Sequence, residues 1–505
     1  MSDDSVGAAL RSSHPLVVVE APAGCGKTHQ AAEYAADAAS TLSRGRVLIV
    51  AHTHAAVDVF VSRTPQLRDR VDVRTIDSLI VAIAAAYHQL LELPPDPGRW
   101  AQSEKDGYAT VAAKVAALLK IAPAIKGMLA RRYPIVICDE HQDASSDQHD
   151  VTMALYRAGA SLRFFGDPMQ NIYATKKTAD ADLQRWNELK TEAGASEELD
   201  TPHRWSQSTP LGQWILSARA LLRDGGRLNL ASDLPAGIDI LRADNLSSHP
   251  LGYSVGKQDR VPIDDAAQAA DKLLVLTAHK STVEALNAFF NRRVPIWEGH
   301  VRDGLSRLAD EVRRNVGNPE PIATALVNFV ETVCTGFSRS MFGNRFIADV
   351  AEGCAAKRKG MPARLQVLGT FLVNEPDHRG VAKALRTLAE FTQSDAAFRC
   401  VKIDHRREYR EAVSLGDFAD CDEGFAEIAR RRTGNRAMPP GKAISTVHKA
   451  KGLECPNVMI VPCDATRFPD TPAGRRLLYV AMSRATRSLT IVVPRSKPSP
   501  LFTFS

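Results

Sequence analysis

Among the 505 residues there is no Cys-x-x-Cys pair: the eight cysteines, at 25, 138, 334, 354, 400, 421, 455 and 463, stand far apart. Zinc ribbons and iron–sulfur clusters need thiolates at short spacing, so neither is supported. Scattered free thiols point to a reducing compartment, and a cytoplasmic location is expected. Long apolar runs are lacking too. The nearest candidate, Leu79 to Tyr87, falls well short of the ~18 residues of a membrane span and reads as a buried helix. The first apolar run, Leu16 to Val19, follows a polar Ser-Asp-Asp-Ser opening, so neither a secretory leader nor a membrane partner is expected. Charge of one sign is scarce: 64 Lys and Arg against 58 Asp and Glu leave a formal +6. Any affinity for a polyanion must therefore come from local patches. Repeats and low-complexity tracts are also absent. What remains is the balance of an ordinary folded chain, 44% hydrophobic and 24% charged, long enough for about three or four domains at roughly 100–200 residues each.

Short β-branched runs recur between amphipathic stretches: Leu16 to Val19, Val47 to Val50, Ile135 to Cys138, Leu162 to Phe165, Leu273 to Leu276, Val458 to Val461 and Leu489 to Val493. That rhythm predicts parallel sheets covered on both faces. Two regions of helical spacing interrupt it, one carrying VAAKVAALLKIA and the other LSRLADEVRR and KALRTLAEF. The pattern predicts an α/β fold of two parallel-sheet cores, each with a mainly helical insertion. The expected boundaries are 1–75 with 133–198 for the first core and 76–132 for its insertion. The second core takes 199–291 with 437–505, and its insertion 292–436.

The first strand runs straight into APAGCGKT, Ala21 to Thr28, and then into a helical stretch. Gly24 and Gly26 let the backbone fold around phosphate oxygens, and the amides of Ala23, Gly24, Cys25 and Gly26 face the negative charge. Lys27 reaches the β- and γ-phosphates, and Thr28 offers a hydroxyl to Mg²⁺. ATP with Mg²⁺ is the implied cofactor. Downstream, PIVIC ends in Asp139 and Glu140, two acids at a strand's C-terminal end, where α/β sheets place ligands. Asp139 is the expected metal-side carboxylate, and Glu140 the group that orients and deprotonates the attacking water.

With DEHQDASSDQ the chain resembles superfamily 1 helicases of the UvrD/Rep/PcrA class, and five further segments match in order. AHTHAAV is similar to TFTNKAA, FGDPMQNIY to GDxxQxIY, LDTPHR to LxxNYR, STVHKAKGLECP to HxxKGLEF, and RRLLYVAMSRA to RRLxYVxxTRA. The resemblance implies two RecA-like cores and assigns roles. Gln170 senses the γ-phosphate, and Arg204 and Arg484 neutralise charge across the cleft. Glu454 binds the ribose, Gly452 permits close backbone approach, and His203, where the family has Tyr, stacks on the base. His52, Thr53, Thr75 and His448 fall in segments that face single-stranded DNA, and TIDSL matches TFHSL with Asp77 in place of His.

Departures qualify the match. Thr175 stands where the family carries a stacking Trp, and no Gln precedes Leu16 to read adenine. The insertions are short, and their basic clusters, Lys357 to Lys359, Arg406 with Arg407, and Arg430 to Arg432, read either as solvated faces or as duplex contacts. The chain stops soon after the last motif, so no appended nuclease is expected. The resemblance implies an ATP-dependent DNA translocase or helicase, stimulated by single-stranded or tailed DNA and moving 3′ to 5′. The competing reading is a DNA-end-sensing NTPase that unwinds poorly and works with a separate nuclease subunit, like the helicase-like component of Gabija-type anti-phage systems.

Overall fold

The computed structural model describes every residue except 1, 68, 176, 232–233, 248–251, 298–302, 435–440 and 505, and the side chains of 103, 303, 426 and 429–434 also fall outside the described set. The chain divides into two compact units, residues 1–279 with 446–505, and residues 280–445.

In the first unit, β1 (Leu16–Glu20), β2 (Val47–Ala51), β3 (Val71–Thr75), β4 (Ile135–Cys138), β5 (Ser161–Gly166) and β6 (Ala195–Glu198) form one sheet in the order β3-β2-β4-β5-β1-β6. Every pairing is parallel. Successive side chains of a strand point to opposite faces, and the apolar strands exploit both. Leu16, Val18, Leu48, Val50, Val136, Leu162 and Phe164 join one buried cluster with Ile80 and Ile83 of the helix Ile76–Ala86 and Val111 and Val115 of the helix Gly107–Ile121. Val17, Val19, Val47, Ile49, Ile137 and Phe165 join another, with Ala31, Ala35 and Ala38 of the helix Lys27–Thr41. Cover on both faces explains why these strands read as near-continuous apolar runs.

A second parallel sheet in the same unit orders Leu273–Thr277, Cys455–Ile460, Ala485–Val493 and Ile238–Arg242. A fifth strand, Lys442–Thr446, straddles the division between the units. Two parallel-strand sheets among many helices bear out the α/β fold with two RecA-like cores. Four strands carried no apolar run to betray them: β3, β6, Ile238–Arg242 and Lys442–Thr446. They lie at sheet edges, where polar side chains are tolerated. In β3 the carboxylate of Asp72 is held by Arg74 at 2.7 Å and by the Tyr133 hydroxyl at 2.6 Å.

The second unit is mainly helical, with Asp303–Arg314, Pro319–Val333, Asn344–Ala351, Met361–Asn374, His378–Ser394 and Arg406–Ser414 among its helices. Phe342 stacks on Phe337 and on Phe398 at ring-centroid distances of 5.0 and 5.4 Å within one apolar core. Of its basic clusters, Arg358 pairs with Asp349 at 3.0 Å and Arg407 with Glu411 at 3.3 Å, while the side chains of Arg430 to Arg432 lie outside the described residues. No single helix among the described residues is long and apolar enough to cross a membrane.

Candidate active site

The loop after β1 folds as its glycines require. Gly24 and Gly26 take φ of 76° and 83°, a region open to glycine at no steric cost. Space is as restrictive as torsion, since a Cβ on Gly24 would stand 2.6 Å from Cβ of Arg204, and one on Gly26 would stand 3.0 Å from Cδ2 of His203. The Arg204 amide donates to the Gly24 carbonyl at 3.0 Å, and the Ala23 amide donates to the hydroxyl of Tyr479 at 2.9 Å. Cys25 is buried, and burial pushes its thiol up to about 12, which removes it as a nucleophile. Thr28 follows in the first turn of the helix Lys27–Thr41, whose N-terminus carries unpaired amides suited to anions.

The carboxylates at the end of β4 meet that loop. The Lys27 ammonium lies 3.1 Å from Asp139 and bonds directly to Glu140. Glu140 has a φ of 52°, a left-handed conformation that costs energy in a residue bearing a Cβ. Its second oxygen accepts from the side-chain amide of Gln142. Burial raises the pKa of both acids, and the outcome differs between them. For Glu140 the Lys27 and Lys451 ammonium groups outweigh burial and hold the carboxyl well below the usual range. For Asp139 burial prevails over Lys27 and the pKa rises. Lys27 itself is held above its ordinary value, because the two carboxylates overcome its own desolvation. Mg²⁺ takes hard oxygen donors and is held by one or two carboxylates plus substrate phosphates rather than by a protein cage. Asp139 and the Thr28 hydroxyl fit that donor set, and among the described residues there is no cluster of three or more His, Cys, Asp and Glu suited to a metal.

Gln170 sits in the short turn after β5, and its side-chain amide donates to Asp167 at 2.9 Å. Arg204 donates to Glu454 at 2.6 Å and to the Ser483 carbonyl at 2.7 Å, while its Nε is buried without an acceptor. Arg484 is buried. It donates to the carbonyls of Val480 (3.0 Å) and Leu453 (3.2 Å) and to the Ser483 hydroxyl (2.8 Å). Burial first, then the neighbouring Arg204, brings its pKa down to about 10. Gly452 has a φ of 83° and nothing within 4 Å of a built Cβ, so torsion rather than crowding calls for glycine there. His203 is half exposed, packs on Gly26 and bonds to Asp3 at 2.8 Å. Lys27, Asp139, Glu140, Arg204 and His203 thus gather around the one loop.

Of the four residues expected to face single-stranded DNA, His52 and Thr53 follow β2, and Thr75 ends the neighbouring β3, paired with Ala51. Thr53 is exposed and Thr75 buried, and each hydroxyl caps a helix, accepting from Ala56 at 3.2 Å and from Ser78 at 3.1 Å. Burial brings His52 down to about 4, so it is neutral at pH 7. His448 lies with its ring centroid 6.2 Å from that of the exposed Tyr173, whose hydroxyl donates to the His448 carbonyl at 3.2 Å.

Sequence reasoning passed over three groups. Lys451 donates to Asp143 at 2.7 Å and to the Gln170 carbonyl at 2.8 Å, although both side chains lay inside matched segments. Tyr479 reaches the phosphate loop, and the Trp205 indole donates to the Ala485 carbonyl at 2.6 Å from a fully buried position. Tyr and Trp buried in polar surroundings need such partners, which was the available signal.

Two family models match the chain. Residues 6–176 match an AAA domain, and residues 443–492 match the UvrD-like helicase C-terminal domain. No curated protein matches it.

Proposed function

From these two matches, which mark the chain as a UvrD/Rep-like superfamily 1 helicase that hydrolyses ATP, we propose a single-stranded-DNA-stimulated translocase that moves 3′ to 5′ and separates strands. The observation that carries the reading is the meeting of Lys27, Asp139 and Glu140 beside a loop that Arg204 and His203 cover from the other side.

ATP enters with its phosphates on the loop amides and its base against His203. Lys27 leaves Glu140 for the γ-phosphate, and the freed carboxylate turns to the attacking water. The water oxygen bonds to the γ-phosphorus as the bond to the β–γ bridging oxygen breaks, and Glu140 takes the water proton. Once Lys27 has left, the ion pair that held the Glu140 pKa down is broken, and the carboxylate becomes the stronger base that proton transfer needs. Gln170 contacts the γ-phosphate, and Arg204, with its spare Nε, offsets charge that builds on the transferring group. Thr28 and Asp139 would hold Mg²⁺, which would supply positive charge against the phosphates. Arg484 acts from behind Arg204, since its own donors are spent on the carbonyls of its core. His203 stacks on any base, and no upstream Gln reads the adenine edge, so GTP and dATP are hydrolysed too.

ATPase and strand separation measured in parallel on single-stranded, 3′-tailed, 5′-tailed and blunt DNA test the reading. Unwinding that requires a 3′ tail supports it. Stimulated ATPase without unwinding on any substrate would favour the DNA-end-sensing alternative.

A further inference from the structure

Arg219 lies on the helix Thr209–Arg223, outside every motif of the sequence, and its side chain is 3% exposed. It donates to one oxygen of Asp167 from Nε at 3.1 Å and from Nη2 at 2.9 Å. The same guanidinium reaches Glu20 at 2.5 Å and Glu198 at 2.7 Å. Glu20 closes β1 immediately before the phosphate loop, and Lys190 meets its other oxygen at 3.0 Å. The Asp167 side chain has no exposure, and the guanidinium of Arg219 is paired with it at 2.9 Å.

Two further bonds leave Asp167 toward the reacting groups. Its second oxygen accepts from the Gln170 amide at 2.9 Å, and its backbone N–H donates to Gln142 at 3.0 Å, whose own amide donates to Glu140. Buried ion pairs add little net stability, so a four-residue cluster at this place calls for another account. The five donors of a guanidinium lie in a fixed fork, and here they set the distance between the strand that feeds the loop and the turn that carries Gln170.

We propose that Arg219 is a positioning residue for hydrolysis: by clamping Asp167 against Glu20 it holds Gln170 at the γ-phosphate. The inference rests on the hydrolytic reading of the site given above. A lysine in its place keeps the charge and loses the fork.

The test is a double-mutant cycle of Arg219→Lys and Gln170→Ala, read as kcat, KM and the affinity for a fluorescent ATP analogue. Arg219→Lys should lower kcat about ten- to a hundredfold, the scale of a misplacement of about an ångström, and leave nucleotide affinity nearly unchanged. In the Gln170→Ala background the same change should cost less than about twofold, since the group it positions is gone. Equal losses in both backgrounds, or a parent-like Arg219→Lys, would overturn the proposal. Gln170→Ala alone turning over at the parent rate would instead remove the site reading, and the inference with it. Should Arg219→Lys not fold, Asp167→Asn, neutral and of the same shape, enters the cycle in its place with the same expectations.

Discussion

Residues 280–445 and the strand ends of the first unit use buried space in opposite ways. In the former, Phe342, Phe398, Leu385 and Val330 fill one apolar core, and the partly exposed Arg358 and Arg407 pair with carboxylates at its margin. At the ends of β1, β4 and β5 the enclosed groups are charged: Lys27 with the buried Asp139 and the partly buried Glu140, and Lys451 with Asp143, both partly buried. One region excludes water to gain stability. The other holds ions in a strained, low-dielectric setting, which costs stability and supplies reactivity. Substitutions should therefore separate the two, with losses of turnover in one and losses of stability in the other.

The largest effects belong to the charged end. Lys27→Ala should abolish hydrolysis, because the γ-phosphate loses its fixed counter-charge. Glu140→Gln should stop turnover and still bind nucleotide, which equilibrium binding of an ATP analogue would register. Arg484→Ala should lower kcat about ten- to a hundredfold, the scale of a misplaced Arg204, since Arg484 does not itself reach the phosphate. It should also lower the melting temperature, since the carbonyls of Val480 and Leu453 lose their donor. Loss of stability alone, with kcat intact, would move Arg484 to the packing side of the comparison.

Phe398→Ala works from the other side. Emptying the Phe342 stack should cost about 3–5 kcal/mol in denaturant unfolding and leave kcat for ATP unchanged. A fall in kcat at conditions where the variant is fully folded would break the separation.

Acid should sharpen it. Burial holds His52 and His149 at about 4, and His141 well below its ordinary value, so the unfolded chain takes up these protons first. Their contribution is fully present above pH 6.5 and is lost as pH falls toward 4. Asp143, raised to about 6 by burial against the pull of Lys451, runs the other way: what it contributes is present below pH 3.8 and lost as pH rises through 6. With His448 also lowered by burial, four histidines outweigh the two raised carboxyls, Asp139 and Asp143, so the melting temperature should rise between pH 4 and 6.5. His149→Gln should flatten that rise, and an unaltered slope would show that the histidines do not set it.

The smallest effect concerns DNA. Stacking is worth about 1–3 kcal/mol per base, so Thr175→Trp should tighten single-strand binding by about that amount in a salt titration. An unchanged affinity would show that the exposed Tyr173 already serves as the platform.

Legibility in the sequence followed the same division. Central strands buried on both faces read as apolar runs, and the phosphate loop and the acids of β4 read from residue type and spacing. The edge strands did not, since Asp72 and Arg74 of β3 satisfy each other across its polar face. Nor did the bonds that tie motifs together. Lys451 to Asp143 spans 308 positions and Tyr479 to Ala23 spans 456, and no local pattern encodes such pairs. Arg219 gave no signal at all, since one arginine in the amphipathic stretch LGQWILSARALLR resembles any solvated charge until the fold buries it.

On the proposed function, ATP is hydrolysed at the Lys27, Asp139 and Glu140 cluster under the control of single-stranded DNA. Steady-state ATP turnover with and without single-stranded DNA, in the parent and in Glu140→Gln, tests it most directly. Strong stimulation is expected in the parent and none above background in the variant, which still binds nucleotide. A parent indifferent to DNA, or a variant that turns over at the parent rate, would contradict it.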